Sequence, residues 1–194
     1  ALRAELGLDR NVFVRYADWL IGFVTGDMGV SYSYAMDVSR VLKGKIAVTA
    51  ALSFISWILV TAVSIPLGIA LARYQGRWSD RIGAAMNQVF MAIPPFFLGI
   101  LFTYLFGLVL RWFVPGKFIP FSQSFWGCVG YLVFPALAIS IPKIAKVAKL
   151  LRSSILHEVN LDYVRTAYSR GNSRWETIRR HVLRNAMLPV VTYL

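Results

Sequence analysis

Few side chains in this chain of 194 residues could carry out covalent or metal chemistry. A single cysteine, Cys128, allows neither an intrachain disulfide nor a cysteine-based metal cage. The two histidines, His157 and His181, have no carboxylate or cysteine cluster at ligand spacing, so no zinc site is predicted. A phosphate-binding loop is also missing, because Gly44-Lys45 lacks the earlier glycine and the following hydroxyl residue. The sequence therefore predicts no catalytic residue, no metal and no cofactor bound by the chain itself.

The distribution of charge is the more informative feature of the sequence. Only 15% of the residues are charged and 57% are apolar, with a net charge of +12, whereas soluble domains carry roughly a quarter charged residues. This composition argues against an ordinary soluble enzyme and against a disordered chain. Three stretches, residues 46–72, 82–110 and 124–142, contain no charged residue at all. About 20 apolar residues suffice for a helix to cross a bilayer, so we predict an all-α, polytopic transmembrane helical bundle.

The predicted membrane domain covers residues 46–194 and follows an extracytoplasmic segment, residues 1–45. Its spans are expected at about residues 46–72, 82–110 and 124–150, with the start of a further span at 186–194. Loops rich in Lys and Arg remain in the cytoplasm. The three arginines of residues 73–81 and the ten basic residues from Lys143 onward lie on one side if the spans alternate. We therefore predict that residues 73–81 and 153–185 are cytoplasmic.

Local patterns predict further features of the segment and the spans. Five apolar residues at helical spacing predict a short amphipathic helix at the membrane surface, ahead of a turn at residues 25–29: Val12, Tyr16, Trp19, Leu20 and Phe23. Prolines inside the spans predict kinks: Pro66, Pro94, Pro95, Pro135 and Pro142. Small residues predict close helix packing: Ser64, Gly68, Gly99 and Gly107.

The third span is followed by basic residues at intervals of three, namely Lys143, Lys146, Lys149 and Arg152. This spacing spreads them around one side of a helix that continues past the lipid. We interpret them as side chains that extend towards lipid headgroups. For Lys143, the deepest of the four, a position on a transport pathway is the alternative.

A helix–turn–helix arrangement is predicted between the third and fourth spans. Asp162 is a suitable N-cap for a short helix over residues 163–170, and Gly171 stands where a helix favours a left-handed C′ residue. Ser173 and Glu176 form a capping box for the next helix. Trp175, Ile178 and Val182 supply the apolar stripe of that second helix, and Leu188-Pro189 marks the return into the membrane. A short helix framed in this way could transmit the movement of a soluble partner to a membrane bundle.

The same region carries a specific family resemblance. Residues 162–167 (Asp-Tyr-Val-Arg-Thr-Ala), Gly171 and residues 184–191 (Arg-Asn-Ala-Met-Leu-Pro-Val-Val) resemble the cytoplasmic coupling loop of binding-protein-dependent ABC importer permeases. The similarity is to the branch that handles oligopeptides, dipeptides and nickel, and it extends along the chain in order. Its other segments are Leu6-Gly7-Leu8-Asp9, Gly26-Asp27-Met28-Gly29 with Ser31, Ile65-Pro66-Leu67-Gly68 and Gly76-Arg77-Trp78-Ser79-Asp80-Arg81.

Two departures from the general importer pattern narrow the resemblance to one branch of the family. Arg165-Thr166-Ala167 stands where the general loop begins Glu-Ala-Ala. Leu188-Pro189 follows Gly171 at a greater distance than in the general loop. Both differences resemble the peptide branch.

The resemblance implies a pore-forming, non-catalytic subunit of a bacterial inner-membrane importer. It implies a second permease subunit in a heterodimer, two cytosolic ATPases that bind ATP and magnesium, and an extracytoplasmic substrate-binding protein. The first and last spans of a six-span permease are expected to lie outside this sequence. The residues expected to contact the ATPase are Asp162, Tyr163, Arg165, Thr166, Ala167 and Gly171.

Other interpretations remain open from the sequence. Within the same branch the substrate could be nickel or another small solute instead of peptides. An ion-gradient-driven transporter is the alternative from another class, although such transporters commonly place ionisable residues at mid-membrane and the first two spans contain none. A nucleic-acid partner is not predicted, because the basic residues cluster at span ends. Four residues are candidates for lining the pathway, with ordinary packing as the alternative: Asn87, Gln88, Phe97 and Tyr104.

Overall fold

The computed structural model describes residues 10–194, and these residues are mainly helical. The predicted all-α class is confirmed. Residues 6–9, which belong to the family resemblance, lie outside the described residues. The elements in chain order are α1 (Val12–Thr25), β1 (Val30–Ser31), β2 (Met36–Asp37), α2 (Val38–Arg73), α3 (Trp78–Ala92), α4 (Pro95–Phe102), the π-helical turn Thr103–Val109, α5 (Phe125–Glu158), α6 (Asp162–Ser169), α7 (Arg174–Thr177), the π-helical turn Ile178–Val182, α8 (Leu183–Ala186) and α9 (Leu188–Tyr193).

The described residues form two compact units, one up to Ala51 and one from Leu52 onward. The first unit contains α1, the helix that the sequence predicts. The Asn11 side chain caps it by accepting the Phe13 N–H at 2.9 Å, and Gly26 ends it with a left-handed φ of +96°. The predicted turn then leads into the short antiparallel hairpin β1–β2.

Two helices, α2 and α5, are each long and apolar enough to cross a membrane. Both are longer than predicted, at 36 and 34 residues, because the helices continue through their charged flanks. Residues 153–158, which the sequence assigned to the cytoplasmic loop, therefore belong to α5. At the other end of the chain, the predicted start of a fourth span is interrupted at Met187, between α8 and α9.

The predicted span over residues 82–110 is not one continuous helix and is sharply bent at the proline pair, where the sequence predicts a kink. It is divided between α3 and the Pro95–Val109 segment, which are bent by 90° at the break. The cause is the proline pair, since Ile93 and Pro94 take extended backbone with ψ of 122° and 138°, and a residue before proline disfavours the helical region. Pro95 instead occupies the first turn of α4, where its missing N–H costs nothing. The remaining prolines of the spans, Pro66, Pro135 and Pro142, lie inside continuous helices.

The apolar core of the second unit combines residues of α2, of α5 and of the chain after α5. Ser56, Val60, Ser64 and Gly68 recur at intervals of four along α2, and all are buried. At Gly68 an added Cβ would lie 3.0 Å from the Ala148 carbonyl oxygen and from Leu151 Cβ. The predicted close packing is therefore present at Ser64 and Gly68.

The two other small residues behave differently from each other. An added Cβ at Gly107 would come within 2.7 Å of Pro115 Cγ, so this glycine is also closely packed. At Gly99 an added Cβ meets nothing within 4 Å among the described residues, and close packing is absent there.

Helix α3 is attached to α5 by polar side chains. The guanidinium of Arg152 forms a bidentate pair with Asp80, with Nε–Oδ1 and Nη2–Oδ2 distances of 3.1 and 2.9 Å. Asp80 is 5% exposed and also accepts the Gly76 N–H. Arg152 therefore pairs with a buried carboxylate and does not extend towards lipid, which corrects the sequence interpretation.

Two further contacts lie along the same helix pair. Asn87 Nδ2 donates to the Ala145 carbonyl at 2.7 Å, and Lys149 Nζ donates to Gln88 Oε1 at 3.1 Å. Like Arg152, Lys149 contacts α3, whereas Lys146 lies over the ring of Tyr193 at 5.1 Å. Three polar contacts thus connect α3 to the last turns of α5.

Replacing Gly68 with leucine is expected to lower the free energy of unfolding by about 1–3 kcal/mol, because the side chain overpacks the contact with α5. Thermal unfolding of the detergent-solubilised protein measures the effect. Gly44→Leu is the matched control, since Gly44 lies on the same helix and its added Cβ meets nothing within 4 Å among the described residues. Equal unfolding temperatures for the two variants would contradict close helix contact at Gly68.

Replacing Asp80 with asparagine is expected to lower the free energy of unfolding by about 2 kcal/mol or more. The change leaves Arg152, whose side chain is only 27% exposed, without its charge partner. Asp162→Asn is the control, because the Asp162–Arg165 pair has side chains 96% and 76% exposed and should contribute little. Denaturant or thermal unfolding compares the variants, and similar losses for both would show that the Asp80 pair is not a structural link.

Candidate functional site

The candidate site is the α6–α7 region, which the sequence predicts as a coupling element. Helix α6 covers Asp162–Ser169, one residue earlier at each end than predicted. Leu161, with ψ of 154°, is its N-cap, and no side chain caps the helix. The prediction that Asp162 is the N-cap is therefore wrong. Its carboxylate still lies in the first turn, where its negative charge interacts favourably with the positive end of the helix dipole.

The C-terminal end of α6 matches the prediction. Gly171 follows the C-cap residue Arg170 and has a left-handed φ of +87°. Its N–H donates to the Tyr168 carbonyl at 2.9 Å, and the Asn172 N–H donates to the Ala167 carbonyl at 3.3 Å. These two bonds form a Schellman motif, which satisfies carbonyls at the helix end and fixes the direction of the outgoing chain.

The next helix begins as predicted, but with half of the capping box. Ser173 Oγ accepts the Glu176 N–H at 3.3 Å, whereas the Glu176 carboxylate pairs with Arg180 at 3.1 Å. Of the predicted apolar stripe, Ile178 and Val182 are 3% and 0% exposed, but Trp175 is 41% exposed. The stripe is thus correct for two residues, and Trp175 has a different environment.

One side of α6 is buried in the protein. Val164 and Ala167 are 0% and 7% exposed. Val164 belongs to one apolar cluster with Ile155 of α5 and with Ile178 and Val182. Ala167 was predicted to contact a partner, but its burial makes it part of the attachment of α6 to the rest of the chain.

The other side of α6 is exposed and polar. Asp162, Arg165 and Thr166 are all exposed, and Asp162 Oδ1 lies 3.4 Å from Arg165 Nη1. Thr166 Oγ1 donates to the Asp162 carbonyl at 3.2 Å within the helix. The structure therefore places three of the predicted partner-contacting residues together on one accessible face.

Tyr163 links three helices and is the most constrained of the predicted residues. Its hydroxyl donates to Glu158 Oε2 at the end of α5 and accepts a bond from Asn185 Nδ2 of α8 at 3.4 Å. Burial and the hydrogen bond to Glu158 raise the pKa of Tyr163, so the hydroxyl stays protonated and keeps donating. Neither Glu158 nor Asn185 is predicted from the sequence to belong to the site. The only signal was that Asn185 stands within the family-like segment 184–191.

The four candidate pathway residues have different surroundings among the described residues. The amide of Asn87 is engaged by the α5 backbone, and Gln88 accepts a bond from Lys149. Phe97 is 51% exposed, and Tyr104 lines a cavity of about 560 Å³ beside Phe134. For Asn87 the observed contact is helix packing, the alternative that the sequence left open.

No cluster of three or more His, Cys, Asp or Glu residues that could hold a metal ion occurs within residues 10–194. Cys128 is buried inside α5. The side chains gathered at the site are a carboxylate, a guanidinium, a hydroxyl and a phenol on the surface of a small helix. This set is suited to contact with another protein.

Several known permeases are similar to the chain over almost its whole length. A peptide transport system permease protein of Brucella abortus is 31% identical over 191 residues, which cover 98% of this chain and 61% of that protein. A peptide ABC transporter permease protein of Sinorhizobium fredii is 28% identical, covering 100% of this chain and 62% of that protein. A glutathione transport system permease protein of Salmonella choleraesuis is 30% identical, covering 100% and 60%.

The chain spans about three-fifths of the length of these relatives. A family model described as the binding-protein-dependent transport system inner membrane component matches residues 64–194. The match includes the last turns of α2, where Gly68 contacts α5, and the whole of the α6–α7 region. The chain therefore belongs to the family of inner membrane components of binding-protein-dependent transport systems.

Proposed function

We propose that the chain forms part of the translocation pathway of an ATP-driven ABC importer and is moved by a cytosolic ATPase through α6. The observation that carries the proposal is the two-sided structure of α6. Its polar face is accessible, whereas Val164 and Ala167 fix its other side to the core that contains the end of α5. A helix attached on one side and exposed on the other can receive force at its surface and pass it to a membrane helix.

The rigidity of the frame supports this role. The Schellman motif at Gly171 and the Ser173 cap fix the turn after α6. Tyr163 connects the helix to Glu158 at the last turn of α5 and to Asn185 of α8. A displacement of α6 would therefore move the end of α5 with it, because no flexible loop between them absorbs much of the displacement.

The polar contacts between α5 and α3 extend the route into the membrane region. Arg152 on α5 holds Asp80 on α3, and Asn87 is bonded to the α5 backbone seven residues further along α3. Helix α3 leads into the 90° bend before α4. Movement of α5 would carry α3 with it and could change the angle at this bend, which would switch the pathway between its two open states.

The proposed partners supply the roles that this chain does not, namely ATP hydrolysis and substrate delivery. We propose a heterodimer with a second permease subunit, an extracytoplasmic substrate-binding protein, and two cytosolic ATPases that bind the ATP and the magnesium ion. In this arrangement residues 73–81 and the α6–α7 region face the cytoplasm, and residues 1–45 lie outside. The basic residues at the ends of α2 and α5 support this orientation.

The proposed substrates are short peptides. The relatives from Brucella abortus and Sinorhizobium fredii are named as peptide permeases, and the relative from Salmonella choleraesuis is named for glutathione, itself a tripeptide. A nickel or other small-solute importer of this branch would have the same coupling loop. The uptake measurement below distinguishes such an importer from a peptide importer.

Replacing Gly171 with valine is expected to abolish uptake of a labelled di- or tripeptide and the ATP hydrolysis linked to it. A β-branched residue in the left-handed conformation costs roughly 1 kcal/mol or more, and relief of that strain would distort the end of α6. An added Cβ meets nothing within 4 Å among the described residues, so the effect comes from the backbone alone. Uptake is measured in cells that express the complete transporter.

Gly171→Asn is the matched control, because asparagine tolerates the left-handed region and should retain most of the uptake. Membrane insertion is checked for both variants by immunoblotting. Normal peptide uptake in Gly171→Val would contradict the coupling role of α6. Uptake of nickel but not of peptides by the unaltered transporter would overturn the substrate class.

A photo-crosslinking amino acid at Arg165 is expected to react with the ATPase subunit, because this side chain is 76% exposed on the proposed contact face. The same photo-crosslinking amino acid in place of Phe121, in the loop before α5, should give no crosslink to the ATPase. Cysteines at the two positions test the orientation with a membrane-impermeant thiol reagent. Phe121→Cys should react in intact cells and Arg165→Cys only after permeabilisation, and the reverse pattern would refute the proposed topology.

A further inference from the structure

A groove of about 370 Å³ lies at the end of α2, and its lining residues are separate from the exposed polar face of α6. Its apolar part is formed by the last three turns of the helix, and its other end is formed by polar and aromatic groups. The lining residues are Ile65, Pro66, Ile69, Ala70, Arg73, Tyr74 and Trp175. This volume lies within the range of small-molecule sites.

The polar end of the groove is strongly basic. The Arg73 guanidinium lies 4.9 Å from the centroid of the Trp175 ring and 5.6 Å from that of Tyr74. Arg77 approaches the same tyrosine ring at 5.5 Å. Neither arginine has a carboxylate within 4.0 Å among the residues that the structure describes. Two arginines without a carboxylate partner among the described residues thus contact one aromatic ring, and Arg73 is the one that lines the groove.

The position of the groove matches the boundary of the membrane. Helix α2 is a candidate span that ends at Arg73, so Ile65 and Ile69 lie in its last apolar turns and the arginines lie just beyond them. Tryptophan and tyrosine are enriched at this level of a bilayer, where their rings are partly in lipid and partly in water. An occupant must therefore be apolar at one end and anionic at the other.

We propose that this groove binds one anionic phospholipid, with an acyl chain against Ile65 and Ile69 and the headgroup phosphate at Arg73, the arginine that lines the groove. Basic pockets between helices at the cytoplasmic side of a membrane are suited to such headgroups. The cation–π contacts hold the Arg73 guanidinium at the mouth of the groove before lipid binds. The bound lipid would connect the end of α2 to Trp175 of α7.

Native mass spectrometry of the complete transporter with phosphatidylglycerol or phosphatidylcholine tests the proposal. We expect selective retention of phosphatidylglycerol and about fivefold weaker retention in Arg73→Gln, as one lost basic contact predicts. Arg81→Gln is the matched control. Arg81 belongs to the same basic segment and lies 5.9 Å from the Trp78 ring, but it does not line the groove.

A second pair of variants tests the apolar part of the groove. Ala70→Phe should fill the groove and reduce lipid retention while leaving both arginines in place. Ala62→Phe, at an exposed position two turns earlier on α2, should leave lipid retention unchanged. Thermal unfolding confirms that all four variants fold.

Three results would overturn the proposal. One is equal retention of the two lipids, which indicates a general lipid shell. Another is equal retention of phosphatidylglycerol by Arg73→Gln and Arg81→Gln. The third is loss of the ATPase from Arg73→Gln without loss of lipid, which assigns the groove to a protein. Lipid retention and peptide uptake are measured separately, so failure of the lipid site leaves the test of α6 by Gly171→Val unaffected.

Discussion

The structure of the second unit depends on one constraint, the need to cover the apolar side of α5 along its full length. Val147, Leu151 and Ile155 recur every four residues near the end of this helix, and each is completely buried. The chain after α5 covers them with its own series at intervals of four, from Ile178 to Val190. Since burial of each such side chain contributes about 1.5–3 kcal/mol, α6 to α9 pack closely onto the core around α5 instead of forming a loose loop.

This packing supports the proposed role of α6 as a mechanical element. The eight residues of α6 would be only marginally helical alone, because short helices do not offset the cost of nucleation. Burial of Val164 and the Schellman motif at Gly171 supply the stability that the sequence of α6 lacks. The polar face contributes little to the fold, which leaves it available for the proposed contact with an ATPase.

The sequence predicted features whose cause is local. A left-handed glycine at position 171 and a serine cap at 173 depend on a few neighbouring residues, and both are present. The local prediction for Asp162 is wrong because alternatives of similar cost compete. Asp162 serves as well in the first helical turn as at the N-cap, and the chain uses Leu161 as the cap. A proline pair can either kink a span or divide it, and the absence of charge in residues 82–110 does not distinguish the two.

Charge-free stretches, basic flanks and family-like segments were sufficient to predict a helical membrane permease, since the length of a span and the placement of charge are properties of the chain itself. The partners of individual polar side chains, in contrast, are not properties of the chain sequence itself. Asp80 and Arg152 lie 72 residues apart, as Arg73 and Trp175 lie about a hundred apart, and no periodicity connects such positions. Only the tertiary structure could decide that Arg152 meets a buried carboxylate and that Trp175 closes a groove, because both contacts depend on how helices far apart in sequence pack against each other.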